Sequence, residues 1–177
     1  MIANSVTKLI DEAILPASAL ILAKTTGLIL IVLTLKLPFQ FELGTLLKVL
    51  PVIKFENQKD YLTAESYSNL AMFTVAALGT ILVLIRAHFF HESHVSPKMH
   101  SKLISLKMER LISPSFHLYH QALIWLTYLW LTVGFLITHA LTKSTYPQIA
   151  IAAFVIAANF SWVFALDVQK EINITRG

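Results

Sequence analysis

The sequence contains no cysteine, which excludes disulfides, thiolate nucleophiles and Cys-ligated zinc or iron–sulfur centres. Glycine is nearly as scarce: five in the whole chain leave little material for the glycine-rich loops that cradle nucleotide phosphates. Acidic residues number ten, and none pairs with another inside an expected membrane span, which argues against a carboxylate-driven enzyme or a cation pump. Gly-x-Ser-x-Gly and His-Glu-x-x-His are both missing. Charged residues of all kinds make up 14% of the chain against roughly 25% in soluble domains.

What fills the space is apolar: 56% of the residues, where roughly 45–50% is usual. A chain of 177 residues this poor in charge cannot coat a water-facing globule, and lipid is the simplest solvent for the excess. The net charge of +4 suits an anionic membrane surface and is too diffuse for a nucleic-acid footprint, so a bilayer is the expected partner and nucleic acid is not.

Reading along the chain, four apolar segments are expected to span as helices, over residues 13–37, 67–87, 117–141 and 147–166. The first starts like a signal peptide, with Ala17-Ser18-Ala19 as a small-residue cleavage site. Asp11 and Glu12 spoil the basic flank and the apolar run continues, so the helix is expected to be retained. Lys24 interrupts it. Either the lysine snorkels along its own stem to one surface, or it has a buried partner or lines an ion path, since a lysine in mid-bilayer costs about 3 kcal/mol on insertion scales.

After Pro38, the apolar first half of residues 38–67 is too short to cross and reads as an interfacial or re-entrant piece. From Thr63, expected to be an N-cap with Glu65 in the first turn, the helical pattern persists to about His94 and outruns the bilayer at its C-terminal end. The basic connector contains Ser101 to Ile112, whose apolar and basic sides predict a short amphipathic helix on the headgroups. Ser113-Pro114 then reads as a helix start. In the last span Ala153, Ala157 and Ser161 recur at a spacing that lets a neighbouring helix approach closely, and Asn159 should hydrogen-bond to protein. The expected fold is therefore an all-α integral membrane protein, a single four-helix membrane domain over residues 1–177 with an interfacial helix between its second and third spans.

Lysine and arginine set the expected orientation. With four spans, eight fall on the side of the termini and the connector, five on the other, and Lys24 within a span. That places the termini and the connector on the cytoplasmic side of a cell membrane, or the equivalent side of an organellar inner membrane.

Six of the seven histidines lie between His88 and His120. His88 and His91 share one helix face at i, i+3, as do His117 and His120, and the two antiparallel helices bring both pairs to a similar depth. Such a nitrogen-rich set suits iron, copper or zinc, with His94, His100 and Glu92 near enough in sequence to add ligands or orient them. A haem held by one histidine from each helix, walled by Phe89, Phe90, Phe116 and Tyr119, is a variant of the same idea. The adjacent His-His pair and the His-x-x-x-His boxes of membrane di-iron hydroxylases and desaturases are absent. The competing reading is an ordinary half-wet basic cluster near lipid phosphates. A third reading is a proton or ion path through Lys24, Asn159 and His139.

Two function classes follow. One is a non-catalytic structural or accessory subunit of a larger membrane complex, in contact with other membrane subunits. The other is a metal- or haem-carrying subunit of an oxidoreductase complex, built on His88, His91, His117 and His120.

Overall fold

The computed structural model describes residues 2–43, 51–90, 95–108 and 115–176, with side chains over 12–41, 53–90, 95–108 and 117–173. Five helices and one hairpin follow in order: α1 (Ile2–Leu35), β1 (Phe39–Leu43), β2 (Pro51–Phe55), α2 (Gln58–Phe89), α3 (Pro97–Ser105), α4 (Ser115–Leu141) and α5 (Pro147–Arg176). Four of the helices, α1, α2, α4 and α5, contain stretches long and apolar enough to cross a membrane.

The core is a seam between helices. Leu20 of α1 meets Met72, Phe73 and Ala76 of α2, Leu126, Leu129, Val133 and Leu136 of α4, and Ala150, Ala153 and Ala157 of α5. The apolar windows of α2 and α4 are each 33% buried, against 11% for α1 and 17% for α5, so α2 and α4 form the centre and the other two flank it. On α2 the buried face runs Ser66, Asn69, Phe73, Ala76, Thr80, Val83 and Ala87, a spacing of three and four that keeps one stripe inward.

Close approach of the helices depends on two glycines. A Cβ on Gly27 would sit 2.6 Å from Cβ of Ala71, so α1 crosses α2 nearly backbone to backbone there. A Cβ on Gly79 would fall 2.0 Å from Cζ3 of Trp125, because the indole of α4 lies flat on α2. Pro16, inside α1 and fully buried, removes a backbone donor and loosens the preceding turn. Tyr128 of α4 donates its hydroxyl to the Ala13 carbonyl in that turn, at 3.1 Å.

With glycine scarce, lysine ends three helices. Lys36, Lys107 and Lys143 take positive φ values of 50°, 56° and 57° just past α1, α3 and α4. The next amide returns to a helix carbonyl each time: Leu37 to Val32 (3.1 Å), Met108 to Leu103 (2.8 Å) and Ser144 to His139 (2.8 Å). A cation beside the helix C-terminal carbonyls offsets part of the strain of a side chain in that conformation.

Three expectations shift. The piece after Pro38 is a β-hairpin, with Phe39 opposite Phe55 and Phe41 opposite Ile53. The Phe-Gln-Phe-Glu-Leu alternation has the period of a strand, and Phe55 leans on Tyr61 of α2 with ring centroids 6.4 Å apart. The helix expected over Ser101 to Ile112 begins earlier, at Pro97, where Ser96 accepts a hydrogen bond from the Met99 amide at 3.3 Å, and ends at Ser105. Thr63 is not an N-cap: α2 starts at Gln58, one full turn and more before it, and Glu65 lies well inside the helix. The Ser113-Pro114 start lies outside the described residues.

Candidate functional site

Two polar clusters tie the bundle together. The first surrounds Lys24. Because α1 and α2 cross closely at Gly27, the Ser68 hydroxyl reaches the Lys24 carbonyl (2.9 Å), and the lysine side chain extends along α2. Its Nζ donates to Glu65 Oε1 at 2.5 Å and to Asn69 Oδ1 at 2.6 Å, and lies 4.8 Å from the centroid of the Phe135 ring of α4. Asn69 is fully buried and passes the connection on, its Nδ2 donating to Thr145 Oγ1 at 2.8 Å in the α4–α5 turn. That turn is further fixed by the Tyr146 amide donating to Ser66 Oγ (3.0 Å) and by contact of the Tyr146 and Thr63 hydroxyls at 3.2 Å.

His139 completes this cluster. Its ring packs on Phe135 with centroids 4.1 Å apart, and Nδ1 lies 3.5 Å from the Glu65 oxygen that holds Lys24. Glu65 is thus shared between an ammonium and an imidazole, and His139 Nδ1 is buried without a hydrogen bond among the described residues. Chemically the arrangement neutralises a lysine in an apolar setting and locks four segments at one point. Asn159 is elsewhere, exposed on α5 and donating to its own helix at the Val155 carbonyl (2.7 Å). The path expected through Lys24, Asn159 and His139 therefore brings together only its first and last members.

The second cluster is at the opposite end of the bundle. His88 of α2 places Nδ1 2.8 Å from Asp167 Oδ1 of α5, and the Tyr119 hydroxyl of α4 donates to the other oxygen of the same carboxylate at 3.2 Å. His117 and His120, one helical turn apart on α4, face Glu12 of α1 at 3.6 and 3.9 Å. Gln121 Nε2 lies 3.2 Å from His117 Nε2. At this end His88 of α2 and the His117–His120 pair of α4 therefore meet different carboxylates, one on α5 and one on α1. His100 is exposed on α3; His91, Glu92 and His94 lie outside the described residues. Among the described residues no group of three or more His, Asp or Glu side chains is placed to hold a metal ion.

On α5, Ala153 and Ala157 are buried at 1% and 0% exposure against α4, and the Trp130 indole donates to Ser161 Oγ at 2.8 Å. Sequence reasoning gave Glu12, Glu65, Asn69, Thr145 and Asp167 no part in either cluster, although they do most of the tying. The signal available for Glu65 and Asn69 was their i, i+4 spacing on the face of α2 that also carries Ser66, Phe73 and Ala76. Nothing comparable marked Glu12 or Asp167, whose described partners His117, His120, His88 and Tyr119 are remote in sequence.

No family model, no curated protein and no solved structure matches this chain.

Proposed function

We propose that this chain is an integral membrane protein that serves as a non-catalytic accessory subunit of a larger membrane complex. The observation that carries the reading is how the polar side chains are used. Lys24, Glu65, Asn69 and Thr145 bond to one another across helices instead of converging on a cavity, so the fold invests its chemistry in a rigid scaffold. The flanking helices present the other half of the argument. On α1, Leu15, Ile21, Leu22 and Leu33 are 65–69% exposed, and on α5 Ile151 and Trp162 are 64% and 68% exposed. These apolar faces meet lipid on part of their surface and neighbouring subunits on the rest.

In this arrangement both termini and α3 lie on the cytoplasmic or equivalent side, and the hairpin lies on the other. Helix α3 and the turn after it rest on the headgroups, with Lys98, Lys102 and Lys107 beside Ile104, Leu106 and Met108. Cysteines introduced at Ser105 and Asn173 should react with an impermeant reagent from one side and a cysteine at Gln58 from the other; labelling of Ser105 and Gln58 together removes the arrangement. For the subunit reading, a photo-crosslinking residue is placed at Leu22 or Trp162 in native membranes. A discrete protein adduct at either position is expected, and lipid adducts alone at both overturn the proposal.

A further inference from the structure

At the histidine end of the bundle a cleft of about 360 Å³ opens between α1, α2 and α4. It combines Leu15, Ile124 and Trp125 with three polar side chains, Glu12, Arg86 and Gln121. Its volume falls at the lower end of the range for small-ligand pockets, and its make-up, mostly apolar with a few polar groups, is that of a ligand site. One side of the cleft is shaped by Trp125, whose indole occupies the space that a Cβ on Gly79 would need.

Arg86 is the residue the fold leaves unexplained. Its Nε is buried and has no hydrogen-bond partner among the described residues, a condition it shares there with His139 Nδ1. A guanidinium is a planar fork that matches the oxygens of a phosphate or carboxylate, and a buried N–H without an acceptor is costly to keep. Glu12 sets the second condition. It faces His117 and His120, and it brings a carboxylate to the cleft from α1, whereas Arg86 lines it from α2. A purely anionic group would meet attraction from one wall and repulsion from the other. A group carrying both signs, phosphate next to a primary ammonium, suits both walls.

We infer that the Arg86 cleft binds a phosphoethanolamine group, with the phosphate on the Arg86 guanidinium, the ammonium towards Glu12, and the apolar wall of Leu15, Ile124 and Trp125 beside the glycerol and first acyl carbons of a lipid. The same chemistry is present in a membrane phosphatidylethanolamine and in free phosphoethanolamine. The inference requires the membrane setting but not the accessory-subunit reading; crosslinking to a partner and occupation of this cleft succeed or fail independently.

The test is native mass spectrometry of the full chain purified in detergent and titrated with phosphatidylethanolamine, phosphatidylglycerol or phosphatidylcholine. Phosphatidylethanolamine should be retained best, because phosphatidylglycerol lacks the ammonium and phosphatidylcholine lacks its N–H donors. Arg86→Gln should weaken retention by about tenfold or more, as expected for the loss of a desolvated charge contact. Ile124→Trp, which fills the cleft and leaves Arg86 in place, should do the same and decides the question if Arg86→Gln does not fold. Displacement of the lipid by excess free phosphoethanolamine assigns the site to a soluble phosphate monoester; retention of the lipid under that challenge assigns it to the membrane. Equal retention of phosphatidylethanolamine by the wild type and the variants, or equal retention of all three lipids by the wild type, overturns the inference.

Discussion

Lys24 and Glu12 sit on the same helix and meet their partners in opposite ways. Lys24 is clasped by Glu65 and Asn69 at 2.5 and 2.6 Å, and Asn69 is fully buried. Glu12 stands 3.6 and 3.9 Å from two imidazoles whose side chains are 29% and 32% exposed. At the end of the bundle that holds the α4–α5 turn, two acceptors from one face of α2 converge on the ammonium and form short, direct bonds. At the other end the Glu12 carboxylate faces two imidazoles one helical turn apart and stands at longer range from each. A cluster of histidines draws the eye in the sequence, while the shorter bonds are made by a single lysine.

The sharpest way to break that comparison is to remove one partner from each cluster. Glu65→Ala removes the counter-charge of the Lys24 ammonium, leaves it only Asn69 as acceptor, and should cost about 2–3 kcal/mol, read from unfolding in mixed micelles. Lys24→Met combined with Glu65→Met should recover most of the loss, since an apolar pair of similar size commonly replaces a buried ion pair at little cost. A Glu65→Ala protein within about 1 kcal/mol of the wild type would place the lysine in the loosely held class of surface ion pairs.

Packing is the next effect in size, and it separates charge from shape. Gly79→Ala pushes a methyl into the Trp125 ring, and Ala157→Leu forces an isobutyl group into the buried α4–α5 seam. Each should cost about 1–3 kcal/mol by overpacking, measured in the same unfolding assay. Gly134 is the control, because a Cβ there meets nothing within 4 Å. Gly134→Ala should stabilise the helix by about 0.5–1 kcal/mol. A loss at Gly134 would reveal a neighbour closer than the fold provides.

The smallest effects are expected at the histidines. His88 is 48% exposed beside Asp167, so His88→Ala and His117→Ala should each change stability by about 1 kcal/mol or less. The measurement to pair with these is metal content and the visible spectrum of the purified protein, repeated for His91→Ala and His120→Ala. A bound metal or an absorption band lost with either substitution would reverse the ranking of the two clusters and restore the redox reading of the sequence.

The sequence by itself determined the number of long apolar helices, because lipid solubility is a sum over a window and needs no knowledge of neighbours. Local chemistry likewise marked the start of α5 at Pro147, since Pro is tolerated where a helix begins. The hairpin after Pro38 was also written there, in the two-residue alternation of Phe39, Phe41 and Leu43, and was missed because its apolar character alone was weighed. Only the tertiary structure decided what Lys24 meets. Glu65 lies 41 positions away and Thr145 beyond two further helices, and their meeting depends on how far α1 and α2 rotate and how closely they cross. A lone hydrogen in place of a side chain at Gly27 permits that crossing, and no window average registers it. The same holds for the histidines: their spacing put His117 and His120 on one face of α4, but which carboxylate that face would meet was settled by the placement of α1.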